Sequence, residues 1–136
     1  MKYFAVVVYE TFFCALFKLP RFRLLNRVKS FFLRLAGAEI GSRVVFYPDL
    51  WIMTGRGLRV GDEVDLALGV LITTDGGVHI GDRTLIGYRT QIISGNHRIP
   101  EGREPIFSAG HEKQSVHIGN DVWIGANCMI LPGVTI

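Results

Sequence analysis

The run from Val116 to Ile136, V-H-I-G-N-D-V-W-I-G-A-N-C-M-I-L-P-G-V-T-I, places an isoleucine at every sixth position: Ile118, Ile124, Ile130 and Ile136. Gly119 and Gly125 directly follow two of them. A helix repeats about every 3.6 residues and a strand every two or so, and neither alone writes this pattern. Six residues suit a short strand and a tight corner, with the aliphatic side chain pointing inward and the glycine easing the bend. Units of this length, stacked, make a β-helix.

The same phase runs back through the chain. Ile40-Gly41, Phe46 and Ile52 form one set, Val60-Gly61, Leu66 and Ile72 a second, and Ile80-Gly81, Ile86-Gly87 and Ile92 a third. The sets begin at residues 40, 60 and 80. Three hexads leave two residues over in each turn. Residues 54–57 and 75–77, rich in glycine and polar side chains, are the expected places for that extra length. Residues 40–136 therefore form the repeat body.

Between Gly95 and Ser115 the phase is lost. The segment carries Pro100, Pro105, Gly102, Gly110, several charged side chains, and His97 and His111. A long aperiodic loop inside a compact repeat is usually functional. The chain ends at Ile136 on a hexad start, and solenoids normally cap their last turn, so the expectation is a repeat truncated at its C-terminus.

Residues 1–39 differ in character. They hold seven cations (Lys2, Lys18, Arg21, Arg23, Arg27, Lys29, Arg34) against Glu10 and Glu39, while the whole chain has a net charge of only +3. The basic balance thus belongs to this segment, and the repeat body is mildly acidic. The body lacks the basic, aromatic-interleaved face of a nucleic-acid binder, so no nucleic-acid partner is expected. Residues 3–19 are apolar but short for a membrane span, which takes about 20 apolar residues. No small-residue cleavage site follows, which argues against a removed signal peptide. Pro20 breaks the segment, and residues 21–36 read as a second helix with Leu24, Leu25, Val28, Phe32 and Leu35 on one stripe. Two roles stand open for residues 3–35: lying on a membrane surface, or capping the first turn of the coil and packing on a partner. Cys14 and Cys128 read as buried or half-buried free thiols.

The hexads, the excursion opening with S-G-N-H (94–97) and the return through I-G-N-D-V-W-I-G-A-N-C-M-I-L-P-G-V-T-I resemble the hexapeptide-repeat acyltransferases over residues 35–136. Within them the likeness is closest to the galactoside, maltose and surface-polysaccharide O-acetyltransferases. The resemblance implies an all-β, left-handed parallel β-helix with an N-terminal α-helical segment. It further implies a homotrimer with acetyl-CoA lying in clefts between subunits, and O-acetylation of a sugar or glycan in surface-polysaccharide or lipopolysaccharide synthesis. By position His97 matches the family's catalytic histidine. The backbone N–H of Ala126 matches the oxyanion donor, and Trp123, Gly125 and Ala126 match the cofactor cleft. Asn96 and Arg98 flank the base and are candidates for holding the acceptor. No metal is expected. Where the galactoside enzymes present an asparagine to the sugar this chain has Leu68-Gly69, so the acceptor is not fixed. The expected location is cytoplasmic, peripheral on the inner face of a bacterial inner membrane.

Two other classes remain. Left-handed β-helix carbonic anhydrases hold zinc on three histidines, and this chain has His79, His97, His111 and His117. His79 and His117 each precede an inward aliphatic and so point outward, which weakens that possibility. The other is a truncated, membrane-associated scaffold without catalysis.

Overall fold

The computed structural model of the chain describes residues 2–136. Met1, the first residue of the expected N-terminal segment, lies outside them, as do the side chains of Lys2 and Tyr3. Two helices come first, α1 (Lys2–Phe17) and α2 (Arg23–Leu35), separated at Pro20. The first turn of coil is β1 (Glu39–Ile40), β2 (Val45–Phe46) and β3 (Trp51–Ile52). The second is β4 (Leu58–Val60), β5 (Asp65–Leu66) and β6 (Leu71–Ile72), and the third β7 (Val78–Ile80), β8 (Leu85–Ile86) and β9 (Gln91–Ile92). A hairpin of β10 (Gly95–His97) and β11 (His111–Lys113) then leaves the coil, and β12 (Val116–Ile118), β13 (Trp123–Ile124) and β14 (Met129–Ile130) make the fourth turn.

The strands stack into three parallel sheets, the faces of a triangular, left-handed β-helix. The first sheet is β1-β4-β7-β12, the second β2-β5-β8-β13, and the third β3-β6-β9-β14. Register follows the hexads: Ile40, Val60, Ile80 and Ile118 lie in one column, and Phe46, Leu66, Ile86 and Ile124 in another. These side chains are buried throughout. Each contributes about 1.5–3 kcal/mol relative to exposure.

The corners correct one expectation. The glycines after the aliphatic residues do not take the left-handed backbone. That conformation falls on Arg43, Glu63, Arg83 and Asp121 at the corner between the first and second sheets. Asp49, Gly69, Arg89 and Asn127 adopt it at the corner between the second and third. The glycine is needed for a different reason: a Cβ on Gly61 would stand 2.9 Å from the carbonyl carbon of Gly81 in the turn below. Backbones stack there too closely for a side chain.

The second correction concerns α2. Its fully buried residues are Asn26, Lys29, Ser30 and Leu33; of the expected stripe Leu25, Val28 and Phe32 are half-buried, Val28 and Phe32 against the core, and Leu24 and Leu35 are exposed. The cause is the surface it covers. N–H groups of the first turn donate to carbonyls of the second (Gly41 to Val60, Val45 to Val64). The first turn's own outer edge is therefore bare, and bare strand edges need polar partners. Lys29 Nζ donates to the carbonyls of Phe46 (3.1 Å) and Leu19 (2.7 Å), Asn26 Oδ1 accepts from the Phe46 N–H (3.3 Å), and Arg34 donates to the carbonyls of Ile40 and Gly41. Burial lowers the Lys29 pKa from its usual value. Phe17 is buried, with its ring 5.8 Å from that of Phe46. The helices thus close the first turn. Cys14 is exposed, contrary to expectation, at the rim of a small cleft where α1 meets Leu50, Trp51 and Ile52; Cys128 is half-buried, and both are free.

Candidate active site

His97 ends β10, and the strand register puts it directly opposite His111 on β11, with ring centroids 4.4 Å apart. The hairpin is fixed at its root. Ser94 is fully buried; its Oγ donates to the Thr73 carbonyl (2.7 Å) and accepts from the Gly76 N–H (3.0 Å). The Gln114 N–H donates to the Ser94 carbonyl (3.0 Å), tying the returning arm to the departing one. Gly76 has no room for a side chain, since a Cβ would lie 2.0 Å from the Ser94 carbonyl oxygen. Lys113 Nζ reaches Asp75 at 3.4 Å. The two-residue surplus at 75–77 is therefore the socket of the excursion.

Beyond that socket the hairpin stands clear of the coil. Asn96, His97 and Arg98 are all exposed. The Arg98 guanidinium lies 3.8 Å from Glu112. Among the described residues no carboxylate hydrogen-bonds to His97, which leaves both ring nitrogens open. His111 was missed as its neighbour. The available signal was the pair of alternating arms, G-N-H (95–97) and H-E-K (111–113), either side of a proline- and glycine-rich tip.

Trp123, Gly125 and Ala126 cluster elsewhere, on the second sheet and the corner after it. Trp123 is 78% exposed. The Ala126 N–H has no acceptor among the described residues, and the corner explains why. The residues at the same corner position in the other turns are Pro48, Leu68 and Tyr88. Leu68 and Tyr88 likewise spend no N–H on the stack, and Pro48 has none to spend. The N–H at this corner position is thus left unspent in every turn that has one. Asn127 next to it adopts the left-handed conformation (φ 54°) and donates to the Tyr88 carbonyl, fixing the corner.

The two groups occupy different edges of the prism. His97 springs from the corner between the third and first sheets, and Ala126 sits at the corner between the second and third. One face of six residues separates them, on the order of 15–20 Å at about 3.3 Å per residue. Each chain thus carries both halves of the expected site without joining them.

The remaining histidines, His79 and His117, stack on the outside of the first sheet with centroids 4.6 Å apart. Burial, then electrostatic repulsion from His117 and Arg59, lower the His79 pKa from its usual value. The four histidines thus fall into two pairs. No group of three or more metal-ligating side chains converges among the described residues.

No family model matches the chain. It is 36% identical over 105 residues to Nodulation protein L of Rhizobium meliloti, an alignment covering 76% of this chain and 56% of that protein. It is 30% identical over 114 residues to the putative colanic acid biosynthesis acetyltransferase WcaF of Escherichia coli, covering 84% and 60%. Its fold matches the crystal structure of a hexapeptide-repeat acetyltransferase from Vibrio cholerae complexed with acetyl coenzyme A, with a TM-score of 0.71 and 26% identity over 81% of this chain and 59% of that one. In sequence and in fold, the chain is similar to the hexapeptide-repeat acetyltransferases. It spans little more than half the length of the curated relatives it matches. Among the described residues no helix is long and apolar enough to cross a membrane.

Proposed function

We propose that this chain carries the β-helical part of an acetyl-CoA-dependent O-acetyltransferase acting on a sugar or glycan in surface-polysaccharide assembly. His97 is the general base. Its imidazole takes the proton from a sugar hydroxyl as that oxygen attacks the thioester carbonyl. The Ala126 N–H holds the oxyanion of the tetrahedral intermediate. Collapse breaks the C–S bond, and the departing thiolate takes back the proton from the imidazolium. Trp123 and Gly125 line the pantetheine, while Asn96 and Arg98 orient the acceptor.

The observation that carries this reading is the separation of the two half-sites onto different edges of one prism. Packed side by side in a homotrimer, one subunit's hairpin would face its neighbour's Ala126 corner, and three sites would be completed between copies. An apolar outer face on α1 and α2, beside arginines, favours attachment to the cytoplasmic face of the inner membrane.

The test is release of free coenzyme A from acetyl-CoA with a panel of sugars. His97→Ala should fold normally and lose at least about 10²-fold in turnover, the usual contribution of a general base. A full-rate variant would remove His97 from the chemistry. Absence of turnover with every sugar in the unaltered chain would favour a non-catalytic scaffold.

A further inference from the structure

The helix α2 has an unusual division of faces. Asn26, Lys29, Ser30 and Leu33 turn to the coil. Arg23, Arg27 and Arg34 recur at intervals of four and seven, forming one stripe. Leu24, Phe31 and Leu35, at intervals of seven and four, form another; they are 70%, 55% and 68% exposed. At about 100° per residue the two stripes run side by side.

The arginine stripe opens on a groove of about 840 Å³. Arg21, Arg23, Arg27 and Arg34 line it from the helical segment and Arg43 from the first corner, with no carboxylate in the lining. Some of these charges are partly engaged. Arg43 pairs with Glu63, the Arg21 guanidinium lies 4.2 Å from the Tyr47 ring centroid, and Arg34 binds strand carbonyls. Arg23 and Arg27 have no ion pair or side-chain hydrogen bond among the described residues. Five guanidinium groups around one concavity repel each other unless an anion sits among them. Their forked donors match phosphate oxygens.

A groove for phosphate beside an exposed aliphatic ridge fits the boundary between lipid headgroups and acyl chains. Nucleic acid would want cations interleaved with stacking aromatics along an extended track; here the guanidinium groups ring one concavity, and the ridge beside it pairs Phe31 with Leu24 and Leu35. A second copy would bring five more arginines against these. We infer that α1 and α2 seat on an anionic phospholipid surface, with Leu24, Phe31 and Leu35 entering the acyl boundary and the arginine groove holding lipid phosphates. The inference rests on the membrane placement proposed above and names the groups that recognise the lipid.

The test is co-sedimentation of the full chain with vesicles of phosphatidylcholine alone, and of phosphatidylcholine and phosphatidylglycerol in equal parts. The chain should favour the anionic vesicles. The double substitution Arg23→Gln, Arg27→Gln should weaken that binding by about 30-fold, each charge contributing roughly a factor of five. Leu24→Ser with Phe31→Ser, both at exposed positions, should weaken binding to both kinds of vesicle. Equal binding of the arginine variant and the parent chain would overturn the phosphate groove. Displacement from vesicles by inorganic pyrophosphate at matched phosphate concentration would assign the groove to a soluble anion instead. If the apolar variant binds vesicles unchanged but sediments as a smaller oligomer, the ridge is a contact between copies and the inference fails. Coenzyme A release with soluble sugars, measured without vesicles, should be the same in all variants, so loss of the catalytic reading and loss of this one are separable.

Discussion

The interior of the coil and its first edge are closed by opposite chemistries. Inside, Phe46, Leu66, Ile86 and Ile124 stack in a column whose only requirement is apolar volume. At the edge, where the first turn has no turn above it, Phe17 and Leu33 meet the apolar side chains, but the bare strand backbone is met by Lys29, Asn26 and Arg34. Both are buried junctions, yet the first exposes side chains to side chains and the second exposes backbone carbonyls. What a helix buries is set by what its neighbour presents, not by a general preference for apolar contact.

The largest effect should come from breaking the column. Ile86→Ala removes a side chain buried between Leu66 and Ile124 in a stack with no freedom to collapse. The expected loss is about 2–5 kcal/mol, read by denaturant unfolding. A loss under about 1 kcal/mol would mean that the turns are not sharing one core.

Lys29→Met sharpens the contrast at the other junction. Methionine keeps most of the apolar stem and loses all three donors, stranding the Phe46 and Leu19 carbonyls. The expected cost is about 2–3 kcal/mol; a neutral or stabilising result would show that the edge tolerates apolar cover as the core does. The same variant carries a pH signature. Burial holds the folded Lys29 pKa below its unfolded value. Between those two values the unfolded chain binds more protons, so stability rises with pH across that alkaline window. The slope should vanish in Lys29→Met.

How far the sequence could be read divides along the same line. The coil was legible because a buried aliphatic returns at every sixth residue within a turn, and the phase of Ile40, Val60, Ile80 and Ile118 survives the excursion. The orientation of α2 was not. A stripe of Leu24, Leu25, Val28, Phe32 and Leu35 signals burial only against an apolar surface, and nothing local in residues 21–36 announces that a strand edge awaits them. The corner glycines misled for a related reason: close stacking of turns and left-handed backbone both select glycine, and only the register separates them. At the candidate site, the place of His97 followed from the break in phase and the family resemblance. Its pairing with His111 needed the hairpin register, and the gap between His97 and Ala126 needed the assignment of each to an edge of the prism.

The smallest effect belongs to a third kind of surface, the outer ladder of the first sheet. Glu39, Arg59, His79 and His117 stand in register there, and Arg59 Nε lies 3.0 Å from Glu39. Both partners are more than half exposed, so water screens the pair. Arg59→Met should change stability by less than about 0.5 kcal/mol. Its more sensitive readout is His79. Burial is the main cause of the lowered His79 pKa, with electrostatic repulsion from His117 and Arg59 adding to it. Removing Arg59 should therefore move the His79 titration up toward its ordinary value without reaching it, as followed by histidine proton resonances. Because the folded pKa lies below the unfolded one, His79 favours folding more as pH rises through the window between them, and the variant should narrow that window. A His79 titration unchanged by Arg59→Met would leave burial and His117 as the operative causes and make the ladder no more than a row of independent side chains.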